Sequence, residues 1–89
     1  MNQNDSIDQV SEQEKRIRRN LYRALRKTGV KKPLITLDAD LIRDLHFDPT
    51  DRKIFTYFLE LIFKLDLEED QLKSIESVKD TIRLLSSEG

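Results

Sequence analysis

Apolar residues return along this chain at intervals of three and four. After Ser11-Glu12-Gln13-Glu14, the residues Ile17, Leu21, Ala24 and Leu25 fall on one face, and Gly29 follows. Ser11 with Glu14 is the pattern of a reciprocal helix start, and glycine is the commonest residue just past a helix end. The spacing predicts a helix over 12–28. Pro33 and the stretch from Leu34 to Asp40 interrupt the pattern as a loop. Leu34 and Ile35 are expected to tuck against the helices, since a connection this long needs anchoring. Asp38 is expected to cap a short turn carrying Leu41, Ile42 and Leu45.

The next helix opens at Asp48-Pro49-Thr50-Asp51. Aspartate is a strong N-cap residue, and proline at the first helical position loses only an N–H that has no partner there. Asp51 complements the positive end of the helix dipole. Ile54, Phe55, Phe58, Leu59, Ile62 and Phe63 then form a broad apolar stripe. A short helix is expected over 69–73. Ser77 with Asp80 reads as another capped start, ahead of Val78, Ile82 and Leu85. Nowhere does a two-residue alternation persist, and hairpin turn signals are missing. The pattern is all-α, with three principal helices and one short piece.

Composition narrows the chemistry. With 89 residues, 37% of them hydrophobic, there is room for one modest core. The chain has no cysteine and one histidine, His46, which removes thiolate chemistry and leaves no nucleophile–base pair. An autonomous enzyme is therefore not expected, His46 is expected to be a loop residue, and no metal site is expected. Leu67-Glu68-Glu69-Asp70-Gln71 lacks the glycine and ligand spacing of a calcium loop and reads as a solvated acidic turn. The polar opening Met1-Asn2-Gln3-Asn4 is unlike a signal peptide, and no apolar run is long enough to span a membrane. A monomeric, cytoplasmic protein is expected. Residues 1–10 are expected to be a flexible N-terminal segment, 11–86 the bundle and 87–89 a flexible tail.

Charge is unevenly spread. Residues 1–14 carry four acids and no base, 15–32 nine bases and no acid, and 33–89 seven bases and thirteen acids. Within the basic segment, Arg16, Arg19, Arg23 and Lys27 share one helical face, with Tyr22 interleaved among the bases. Such a face is usually solvated; alternatively it binds nucleic acid or another anionic partner, although no groove-reading module accompanies it.

From about Glu14 to Leu85, the chain resembles the acyl carrier protein family. Asp44-Leu45 and Asp48 stand where that family has Asp-Leu-Gly-x-Asp, with His46 in place of the glycine. Leu59, Phe63 and Leu67 match its apolar anchors, and Ser74 to Leu85 matches its closing Ile-x-Thr-Val-x-x-x-Ile segment. The resemblance implies an acyl-carrier-like bundle of three main helices plus one short helix. It also implies a serine at the start of the second helix, whose hydroxyl carries 4′-phosphopantetheine. Here the family's Asp-Ser-Leu is replaced by Asp48-Pro49-Thr50, and proline has no hydroxyl.

Three functions follow. The first is a non-enzymatic carrier-like protein without phosphopantetheine, which binds enzymes or other proteins of an acyl, polyketide or peptide-type pathway. Its partner surface would be Asp51, Arg52, Lys53, Thr56, Tyr57 and Glu60, whose mixed charge differs from the acidic second helix common in the family. The second is a working carrier with Thr50 as a variant attachment site, one residue on and rotated by about 100° around the helix. The third is the anionic-partner binder built on the basic first helix. Phe55, Tyr57, Phe58 and Phe63 read first as core, with an acyl-binding cavity as the alternative.

Overall fold

A computed structural model describes residues 11–88. The expectation for residues 1–10 lies outside them. The elements are α1 (Glu12–Thr28), a single 3-10 turn (Lys32–Leu34), α2 (Pro49–Phe63), α3 (Glu69–Lys73) and α4 (Val78–Glu88). There is no strand among the described residues, only an isolated bridge between Asp40 and Ser77. The all-α architecture of three main helices and one short one therefore stands. The last helix runs to Glu88.

Local chemistry sets the ends. Ser11 Oγ accepts the backbone N–H of Glu14 at 3.1 Å and starts α1. At its other end Gly29 is left-handed, with φ of 108°, and the Val30 N–H reaches back to the Leu25 carbonyl at 3.0 Å. Buried Val30 closes that turn against the core. Asp48 and Asp51 start α2 by exchanging bonds with each other's backbone N–H. Lys64, left-handed at φ of 56°, ends it.

The core is one cluster. Ile17, Leu21, Ala24 and Leu25 of α1 meet Phe55 and Leu59 of α2 and Val78, Ile82 and Leu85 of α4. Leu41, Leu45 and Phe47 reach into it from the long connection. Backbone hydrogen bonds hold that connection as well. Leu41 N–H donates to the Glu76 carbonyl, Val78 N–H to Ala39 and Lys79 N–H to Leu37, all at 2.9–3.0 Å. Ile35 packs against the core as expected, but Leu34 is exposed.

A second correction concerns the turn at 41–45. Its cap is Asp40, not Asp38: the Asp40 carboxylate accepts the N–H groups of Ile42 and Arg43 at 2.9 and 2.8 Å. Asp44 returns the bond by accepting the Asp40 N–H at 2.7 Å. Asp38 instead faces Lys79 at 3.4 Å. Ile42, expected with the apolar group, is 60% exposed because the turn points only Leu41 and Leu45 inward.

Candidate functional site

The first turn of α2 opens onto a groove of about 700 Å³. Pro49, Lys53, Thr56 and Tyr57 form one wall along α2. Leu72 and Lys73 of α3 form the other, and exposed Ile42 overhangs one end. Buried Phe47 also lines it and packs edge-on against Phe55, with ring centres 5.5 Å apart.

The helix start is rigid. Asp51 N–H donates to Asp48 Oδ1 at 2.7 Å, and Asp48 N–H donates to Asp51 Oδ2 at 3.1 Å. Both carboxylates are thus committed to the backbone, and Pro49 fixes φ between them. Pro49 is exposed and lines the groove, whereas Thr50 is exposed but does not line it. Thr50 carries the one hydroxyl on this turn. The residues present do not fit a phosphopantetheine arm attached in the family's manner.

Three members of the expected partner surface have internal roles. Arg52 is half-buried, and its guanidinium donates to the carbonyls of Leu72 at 2.7 Å and Ile75 at 3.2 Å. It therefore ties α2 to the end of α3 and separates the main groove from a smaller one of about 440 Å³ toward Asp40 and Glu76. Glu60 Oε2 accepts the Leu67 N–H at 3.0 Å and anchors the connection after α2. Asp51 is held by the capping box. Of the six residues, Lys53, Thr56 and Tyr57 are left to face a partner, and reversing Arg52 would disturb the fold.

The aromatic residues sort differently from an acyl-cavity lining. Phe55 is buried, and Phe58 and Phe63 are half-buried against the core; only Tyr57 of the expected four lines the groove. Phe47 and Leu72 supply the apolar lining that the sequence pattern did not single out. Ile54, expected in the apolar stripe, is 39% exposed, and Leu61 is 57% exposed. The signal for them was the apolar repeat itself, which is too wide for one buried stripe.

Arg16, Arg19, Arg23 and Lys27 are all exposed along α1. Lys27 Nζ lies 5.9 Å from the centre of the Phe58 ring, so the basic face meets α2 at that point. His46 is an exposed loop residue in the left-handed region, with φ of 60°. Glu68, Glu69 and Asp70 are exposed, and no group of three potential metal ligands occurs among the described residues. No described helix is long and apolar enough to cross a membrane. At the connection, the Arg43 N–H holds the Asp40 carboxyl below its ordinary value of 3.8, helped by the Ile42 N–H and the Arg43 charge against a partial desolvation.

No family model matches the chain. Among curated proteins, the acyl carrier protein of Coprothermobacter proteolyticus is 31% identical over 58 residues, which is 65% of this chain and 71% of that protein. The chain belongs to the acyl carrier protein family. Within the family's Asp-Leu-Gly-x-Asp stretch, each residue of this carrier-family chain has a physical task. Asp44 accepts the Asp40 N–H at the turn, Leu45 and Phe47 enter the core, residue 46 takes the left-handed conformation, and Asp48 caps α2. Pro49 is the first residue of the helix that follows this stretch.

Proposed function

We propose that this member of the acyl carrier protein family carries no 4′-phosphopantetheine and acts by binding enzymes or other proteins of an acyl, polyketide or peptide-type pathway. The observation that supports this reading is Pro49 at the first position of α2, facing the groove, with no oxygen to form a phosphodiester. The capping box around it is complete, so the helix start is maintained although the attachment atom is gone. The role proposed is non-catalytic, in keeping with a chain that has no cysteine and a single, loop-borne histidine. A cytoplasmic, monomeric protein accords with this role.

Thr50 is the competing attachment residue. Its hydroxyl is secondary, one residue along the helix, and outside the groove lining. The intact mass of the natural chain after co-expression with a broad-specificity phosphopantetheinyl transferase separates the two readings. We expect the mass of the bare polypeptide. A gain of the arm that disappears in Thr50→Val would instead establish a working carrier with a displaced site.

A further inference from the structure

The exposed side of α2 carries apolar residues where a solvated helix would not. Ile54, Tyr57 and Leu61 are 39%, 59% and 57% exposed, and half-buried Phe58 lies between them. Their spacing of i, i+3, i+4 and i+7 places all four on one face about 10 Å long. Tyr57 and Phe58 brace each other edge-on, with ring centres 5.4 Å apart. This is the stripe by which one helix lies against another.

Three lysines lie at its borders. Lys53 and Lys64 flank the edge nearer the groove, eleven positions apart and thus on the same side of the helix. Lys27 of α1 flanks the other edge, over Phe58. Lys53 and Lys64 are exposed, and neither has an ion pair among the described residues. The acids of α2 are Asp51 and Glu60, and both are committed to backbone N–H groups. Three lysines therefore border the stripe, while the acids of α2 are each held by a backbone N–H.

We propose that the stripe docks an amphipathic helix of a partner protein whose apolar face is bordered by carboxylates. The proposal rests on the partner-binding reading above and specifies the partner's chemistry. A second copy of this chain fits less well: stripe against stripe would bring Lys27, Lys53 and Lys64 toward their counterparts, a repulsive arrangement. An anionic bilayer also fits less well. It presents negative charge everywhere, including to Glu69 and Asp48 on the groove rim, whereas a helix sets its carboxylates only along the stripe's borders. The groove beside Tyr57 further offers a concave surface that suits a ridge of side chains.

The test uses the full natural chain and two labelled peptides of about five helical turns. Both have leucines at the stripe's spacing; one has glutamates on its flanks and the other lysines. Fluorescence anisotropy at low salt should show the glutamate-flanked peptide binding about tenfold more tightly, the effect of a few exposed ion pairs. Lys53→Glu combined with Lys64→Glu should invert that preference. Leu61→Gln, at an exposed position where the helical circular dichroism should not change, should weaken the glutamate-flanked peptide about fivefold. Equal binding of the two peptides, or a preference unchanged by the double reversal, would overturn the proposal. So would binding to phosphatidylserine vesicles with no binding of either peptide, or a dimer in sedimentation that Leu61→Gln dissociates. The peptide assay does not depend on what residue 49 carries, and the mass measurement does not depend on the stripe. Failure of one therefore leaves the other reading standing.

Discussion

Replacing Arg52 with alanine tests whether this side chain belongs to the fold or to a partner surface. Its guanidinium links the body of α2 to the backbone at the end of α3, through bonds of 2.7 Å to Leu72 and 3.2 Å to Ile75. A five-residue helix has too few turns to hold itself, so α3 depends on such ties. A hydrogen bond to a charged group contributes about 1.5–3 kcal/mol, and leaving its partner dry costs a similar amount. Here both carbonyls adjoin open grooves, so water replaces part of what is lost, and the longer bond contributes little. The expected loss is about 2 kcal/mol, toward the lower end of that range. In a domain of this size, that lowers the melting temperature by about 8–16 °C. The urea midpoint falls by about 1–2 M. Lys53→Ala, at the adjacent exposed position, should stay within about 0.5 kcal/mol of the natural chain. Arg52→Lys keeps the charge but lacks the fork that reaches two carbonyls, and should recover only part of the loss. If Arg52→Ala and Lys53→Ala unfold at the same urea concentration as the natural protein, the tie has no structural weight. Arg52 then returns to the partner surface.

His46→Gly should stabilise the chain by up to about 1 kcal/mol, because a φ of 60° strains any side chain while glycine regains only part of that in unfolded-state entropy; a lower urea midpoint would contradict this. Gly29→Ala should destabilise by about 1 kcal/mol through backbone strain alone, since φ is 108° and nothing lies within 4 Å of an added Cβ; thermal unfolding measures it. Asp40 has a lowered pKa in the folded chain, so its contribution is present above its ordinary value of 3.8 and is lost as pH falls through the folded value below that. Asp40→Asn should therefore be less stable at neutral pH and show a shallower acid decline below about pH 4 in denaturation series; an unchanged acid limb would count against the charge having any part.

The elements whose information is local were readable in the sequence. The ends of α1 depend on Ser11, Glu14 and Gly29, and the start of α2 on Asp48, Pro49 and Asp51, all within a few residues of one another. Even the five residues of α3 followed from local pattern. What was hidden depends on distant pairing. Arg52 meets carbonyls twenty and twenty-three positions away, and no local pattern marks a side chain that will turn inward at such a range. Asp38 and Asp40 are equally good caps by residue type, and the bridge to Ser77 decides between them by fixing the chain direction at Asp40. The apolar repeat of α2 was visible, but its width concealed that one side faces α1 and the core while Ile54, Tyr57 and Leu61 face outward. The missing oxygen at Pro49 could be read from the sequence; its exposure at the groove beside a complete capping box needed the structure.

The central claim is that a carrier scaffold has kept its presenting helix and lost one functional atom. Pro49→Ser restores that atom at a position compatible with the helix start, since a serine at the first helical position disturbs neither Asp48 nor Asp51. The decisive measurement is the intact mass of Pro49→Ser beside the natural chain after incubation with a broad-specificity phosphopantetheinyl transferase and coenzyme A. We expect the variant to gain one phosphopantetheine and the natural chain none. An arm on the natural chain, or a correctly folded Pro49→Ser that gains nothing, would contradict the claim.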